Sequence, residues 1–71
     1  MDMQIIFTEH AKERLNKRRI TIEEVELALK SPDKTRKEGG KYIAEKNVGR
    51  AKIEVVYEKD KYIRVVTIYY I

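Results

Sequence analysis

The stretch Ile20–Asp33, ITIEEVELALKSPD, decides the fold class, because a helix opens, runs and stops inside it. Thr21 and Glu24 stand at capping-box spacing, where each side chain accepts the free backbone N–H of the other residue at a helix start. Ile20 and Val25 occupy the two positions of a hydrophobic staple around that cap. Ile22, Val25, Ala28 and Leu29 then fall on one face of a 3.6-residue turn. Pro32 cannot continue the helix and biases Ser31 away from helical angles. A helix over about 21–30 follows.

Upstream, Gln4–Phe7 reads as a short apolar strand. Thr8 is placed to cap an earlier helix over about 8–18, with Glu9 in the first turn where the helix dipole favours an anion. Phe7, Ala11 and Leu15 make a narrow apolar stripe, and His10, Arg14 and Arg18 repeat the same spacing on its flank. Beyond Pro32 the period changes from helical to alternating. A weakly patterned strand over 34–38 leads to Gly39-Gly40, a turn signal, and a second strand spans 41–47. After Asn47-Val48-Gly49, residues 50–58 alternate cleanly. Ala51, Ile53, Val55 and Tyr57 face one way, and Arg50, Lys52 and Glu54 the other. Residues 61–71 are β-branched and aromatic on both faces, which predicts the central or best-covered strand. Two short helices gathered before a β-meander make an α+β domain over 1–71, with the helices on one face of a small antiparallel sheet. The opposite face is then expected to be open, carrying Arg50, Lys52 and Glu54.

Composition narrows the chemistry. There is no cysteine among the 71 residues, which excludes disulfides, thiolate catalysis and cysteine-based zinc sites. One histidine and scattered carboxylates offer no metal-ligand spacing, and the three glycines make no phosphate loop, so neither metal nor cofactor is expected. No apolar run approaches the roughly 18–20 residues of a membrane span, and a cytoplasmic protein without membrane association is expected. Charge points to a partner. The net +4 is concentrated in residues 34–52, where seven basic side chains meet only Glu38 and Glu45. A second basic cluster, Lys12, Arg14, Lys17, Arg18 and Arg19, is offset by Glu13 alone. Such patches suit a polyanion such as RNA, whose phosphates release counterions on neutralisation.

Cutting RNA without a metal needs a base for the ribose 2′-OH, cations for the charged phosphorane and an acid for the leaving oxygen. His10, Glu54 and Tyr70 are the candidates for proton transfer. Arg14, Arg50, Lys52 and Arg64 are the candidates for holding phosphates, arginine through two parallel N–H bonds. The same residues also fit a plainer account: a structural histidine on a helix flank, and cross-strand ion pairs along the sheet. Tyr57, in phase with Ile53 and Val55, reads as core. Tyr69 and Tyr70 must point to opposite faces, one buried and one free to stack.

Several segments together resemble a known family: Phe7-Thr8-Glu9-His10-Ala11-Lys12-Glu13-Arg14, then Arg18 and Ile20-Thr21-Ile22-Glu23-Glu24-Val25. Ser31-Pro32-Asp33, Tyr42-Ile43-Ala44 and Val65-Val66-Thr67-Ile68-Tyr69-Tyr70 continue the likeness to domain-of-unknown-function family 4258. That family is similar to the RelE, ParE and BrnT toxins of toxin–antitoxin pairs. The resemblance implies two helices on a small antiparallel sheet whose open face, in RelE-like toxins, cuts messenger RNA on the ribosome. Lys41, Arg50 and Lys52 sit in places comparable to the basic strand residues of those toxins. The function expected is therefore a RelE-superfamily toxin-like, metal-independent endoribonuclease acting on mRNA. The alternative is a non-catalytic RNA-binding or protein-interaction module of such a pair. Expected partners are RNA, a small antitoxin-like protein, and a second copy joined through the sheet edge.

Overall fold

The computed structural model describes residues 3–71. Seven elements follow in order: β1 (Ile5–Phe7), α1 (Glu9–Arg18), α2 (Ile22–Lys30), β2 (Lys34–Glu38), β3 (Lys41–Asn47), β4 (Lys52–Lys59) and β5 (Ile63–Tyr70). The strands form one sheet in the order β1-β5-β4-β3-β2. β2 to β5 are a continuous antiparallel meander, and β1 lies parallel to β5. This is the expected α+β architecture. The weakly patterned segment 34–38 is a true strand, paired along its whole length with β3.

Both helices start on their predicted caps. The Thr8 hydroxyl accepts the Ala11 N–H at 3.0 Å. Thr21 and Glu24 exchange both bonds of the capping box, at 3.0 and 3.1 Å. α1 ends at Arg19, which adopts the left-handed conformation (φ 54°) and so turns the N–H of Ile20 back to the Leu15 carbonyl at 3.0 Å. That tight reversal brings α2 beside α1 on the same side of the sheet. One core results, built from Ala11, Ile20, Val25 and Ala28 of the helical segment and Ile53, Val55, Val65 and Ile68 of the strands. Tyr57 packs against this core, as its phase predicts, and its ring stacks on Tyr42 at 5.4 Å.

Three expectations need correction. The middle strand is β4, not β5, because β1 takes a place beyond β5 in the sheet. β1 pairs only with Ile63, Arg64 and Val65, so the second half of β5 has no strand on its outer side. Arg50 is not a strand residue: β4 begins at Lys52, and the chain is still leaving the Asn47–Gly49 turn at Arg50. Finally, the sheet face away from the helices is not bare. A register shift between Val56 and Tyr57 lets Val65 and Ile68 both reach the core while Thr67 and Tyr69 turn to the other face. There Tyr69 stands opposite Glu54. Charged side chains roof this face, and Ile43 beneath them is buried.

Candidate functional site: a cationic cleft between α1 and β5

α1 lies along the unpaired half of β5, and three side-chain hydrogen bonds, with a backbone bond from the Thr8 N–H to the Val65 carbonyl at 3.1 Å, stitch the two together. The Thr8 hydroxyl donates to the Val66 carbonyl (3.2 Å), Arg18 Nη1 donates to the Ile68 carbonyl (2.9 Å), and the Tyr70 hydroxyl donates to the Arg18 carbonyl (2.6 Å). An open cleft of about 510 Å³ runs beside this seam. His10, Arg14 and Arg18 form its helix wall, and Thr67, Tyr69 and Tyr70 its strand wall. The row on α1 follows from the four-residue spacing alone, since such residues lie one above the other, about 6 Å apart along the axis.

Each arginine in the row is oriented by the protein without being used up. Arg14 Nε makes a long 3.4 Å contact to His10 Nε2, and Arg18 spends Nη1 on the Ile68 carbonyl. The remaining guanidinium nitrogens have no hydrogen-bond partner among the described residues and are free for an anion. Arg14 and Arg18 carry no ion pair there, so the wall keeps its positive charge.

The other proposed phosphate ligands are placed differently. Arg50 is locked from all sides. Its Nε and Nη2 grip the Glu24 carboxylate at 2.9 and 2.8 Å, Nη2 also reaches the Arg19 carbonyl at 3.0 Å, and Nη1 reaches the Tyr70 hydroxyl at 2.9 Å. This grip, aided by the Thr21 N–H, holds the Glu24 carboxyl below the ordinary glutamate value, and it raises the Arg50 guanidinium in turn. Arg50 is therefore a clasp between the start of α2, the end of α1 and the end of β5. Arg64 pairs with Glu58 at 2.8 Å, and Lys41 approaches the same carboxylate at 3.9 Å. Lys52 is exposed and stands apart from the cleft. Lys46 is taken by Asp33 at 3.4 Å. Much of the basic stretch 34–52 is thus neutralised by tertiary pairs.

Of the three candidates for proton transfer, His10 and Tyr70 meet in the cleft and Glu54 does not. Glu54 is 5% exposed. It sits directly opposite Glu45, and Arg36 Nη1 bridges the two at 3.3 Å each, which removes their repulsion. The Tyr69 hydroxyl donates a short bond to the other Glu54 oxygen. That bond, with burial, keeps the Tyr69 phenol above its ordinary value, so it stays a donor. Tyr70 has its hydroxyl fully employed, accepting from Arg50 and donating to Arg18. His10 is the exposed candidate left in the cleft.

Arg18 and Thr67 join the site beyond the candidates named from the sequence, and Tyr69 joins it as one of the two tyrosines of which one was expected to be free. Arg18 was legible in the i, i+4 row with His10 and Arg14. Thr67 was not, and which way Tyr69 and Tyr70 each turn depends on the register shift in β5. Among the described residues, no group of three or more histidine or acidic side chains is placed to hold a metal. No helix of the described residues is long and apolar enough to cross a membrane.

A family model described as a domain of unknown function, DUF4258, matches residues 7–70. The chain belongs to that family. The match begins one residue before the Thr8 cap and ends on Tyr70, so it takes in both walls of the cleft. No curated protein and no solved structure matches this DUF4258 domain at a significant level.

Proposed function

We propose that this DUF4258 domain is an RNA-binding module of the RelE-superfamily toxin type, and that RNA phosphates lie along the α1 wall of the cleft. The observation that carries this reading is the row His10, Arg14, Arg18: two arginines with free donors on one wall of the cleft, in a chain whose later arginines Arg36, Arg50 and Arg64 are spent on ion pairs. A surface of this kind neutralises phosphates at a fixed spacing, whereas the paired residues Arg50, Arg64 and Lys41 would first have to give up a carboxylate. Toxin character and an antitoxin-like partner belong to the same proposal and rest on family resemblance.

Fluorescence anisotropy with a labelled RNA oligonucleotide tests it. Wild-type protein should bind with an affinity that falls as salt rises, with a log–log slope of about −1.4 if two phosphates are neutralised. Arg14→Ala should weaken binding about tenfold and flatten that slope, while Arg64→Ala should stay within about twofold. Equal loss from both, or binding indifferent to salt, would remove the cleft as the site.

A second reading, metal-independent RNA cleavage, is favoured by one observation: His10 is exposed and lies beside Arg14 in the cleft, where a base and a phosphate clamp would have to meet. Incubation of RNA with wild type and His10→Ala, alone and with ribosomes, decides between cleavage and binding. Products from wild type that vanish in His10→Ala support the enzyme. Intact RNA from both leaves the domain a binder.

A further inference from the structure

The two edges of the sheet are not alike. On the β5 side the edge is broken up: β1 has three residues, and beyond it the Thr8 and Arg18 side chains take the Val66 and Ile68 carbonyls. β2, at the other edge, is paired on its inner side alone. Its five residues, Lys34-Thr35-Arg36-Lys37-Glu38, are all exposed. The turn into β3 fixes which backbone groups point outward. Gly39 and Gly40 both lie at positive φ (55° and 81°), a two-residue turn whose flanking pair, Glu38 and Lys41, is the hydrogen-bonded one. Backbone direction alternates from there. Arg36 and Lys34 therefore also face β3, while Thr35 and Lys37 present their N–H and C=O groups to the outside. No turn or loop of the described chain reaches these outward groups.

We infer that β2 pairs with β2 of a second copy of this chain, antiparallel about a twofold axis at Arg36, so that two sheets join into one. This goes beyond the RNA-binding reading and does not depend on it. A twofold contact brings the same strand together from both copies. With the axis at Arg36, Thr35 of each copy faces Lys37 of the other, and their outward groups exchange hydrogen bonds. Lys34 of each copy then stands opposite Glu38 of the other, at a non-hydrogen-bonded position where side chains lie closest. The charges fit this register. Lys34 makes no ion pair among the described residues, whereas Arg36 faces three carboxylates, those of Glu38, Glu45 and Glu54. The second copy thus brings a free ammonium to a cluster with surplus negative charge, and the same cluster neutralises the two Arg36 that meet at the axis. The neighbouring registers fail: one sets Lys34 against Arg36, the other Lys37 against its own copy. Lysines on an edge strand ordinarily keep other strands away, but in the register at Arg36 neither lysine stands opposite a second cation.

Sedimentation equilibrium of the full chain over about a hundredfold range of concentration tests the pairing. Wild type should pass from the mass of one chain to twice that mass as concentration rises, as a small interface does. Thr35→Pro removes an outward N–H without touching the bonds to β3. It should weaken dimerisation about tenfold or more, with the chain still folded by circular dichroism. Lys34→Glu sets carboxylate against carboxylate at both ends of the contact and should also weaken it about tenfold. Lys34→Glu combined with Glu38→Lys reverses both members of each pair and should return the dimer to within about threefold of wild type. The bond from Arg36 to Glu38 within one chain is lost in that double variant, so recovery can come only from the contact between copies. The mass of one chain at every concentration would overturn the inference. A dimer untouched by Thr35→Pro would overturn β2 as the interface, and a double variant no better than Lys34→Glu would overturn the register.

Discussion

Arg50 and Glu24 form the pair with the most structural consequence per residue. One guanidinium ties three separate segments, so Arg50→Ala should lower the melting temperature by several degrees, and Arg50→Lys, which cannot make the forked grip, should restore only part of it. The pair also sets a pH dependence with a definite sign. The Glu24 carboxyl lies lower in the folded chain than its ordinary value of 4.5. Its contribution is therefore complete above that value and is lost as pH falls through the depressed folded value. Melting temperature should drop on acidification below about pH 4.5, and Glu24→Gln should flatten that limb while costing stability at neutral pH. Asp33, whose carboxylate accepts the Asn47 N–H at 2.8 Å and is lowered mainly by it, adds to the slope in the same direction. Tyr69→Phe removes the phenol from buried Glu54 and should cost about 1.5 kcal/mol in urea denaturation, since a hydrogen bond to a charged group is lost. Sequence spacing could list Arg50 and Glu54 as candidates for chemistry. It could not show that each was already bonded, because their partners are 26 and 18 residues away.

At the level of elements, local chemistry predicts structure well wherever the partners are neighbours in the chain. The Thr21–Glu24 box, the Thr8 cap and the stop at Pro32 involve contacts within four residues, and all stand as the sequence implies. Thr21→Ala should cost about 1 kcal/mol, measurable by urea denaturation. The α1–α2 turn holds a different lesson. Arg19 sits at φ 54°, a conformation that costs a non-glycine residue about 1 kcal/mol. Its side chain has no hydrogen-bond partner among the described residues; its N–H reaches the Asn16 carbonyl and its own carbonyl accepts from Arg50. Arg19→Gly should therefore raise stability by about 0.5 kcal/mol once the extra freedom of glycine in the unfolded chain is set against the relieved strain. β5 was harder to place. Its apolar character on both faces implied the middle of the sheet, yet much of that character comes from the shift beside Val66, which sends Val65 and Ile68 to the same core.

For the whole molecule, one small core carries the fold. Ile53 is wholly buried in the cluster that joins the helical segment to the strands, and Ile53→Ala should cost about 3 kcal/mol by urea denaturation, a large share of what a domain of this size has in reserve. The distribution of charge behaves otherwise. The excess of basic residues in 34–52 is real in sequence, but folding sets Arg36 against three carboxylates and Arg50 against one. Of the arginines among the described residues, Arg14, Arg18 and Arg19 make no ion pair, and Arg14 and Arg18 share the α1 row beside β5. What the amino-acid order determined by itself was the α+β class, the caps, the helix ends and the alternation of the strands, because each depends on interactions within a turn or along one strand. Only the tertiary structure decided which cations stay unpaired, that β1 joins β5 in parallel, and that Tyr69 rather than Glu54 faces the cleft. Those outcomes follow from strand order and register, which bring together groups far apart in the chain, and no local period encodes them.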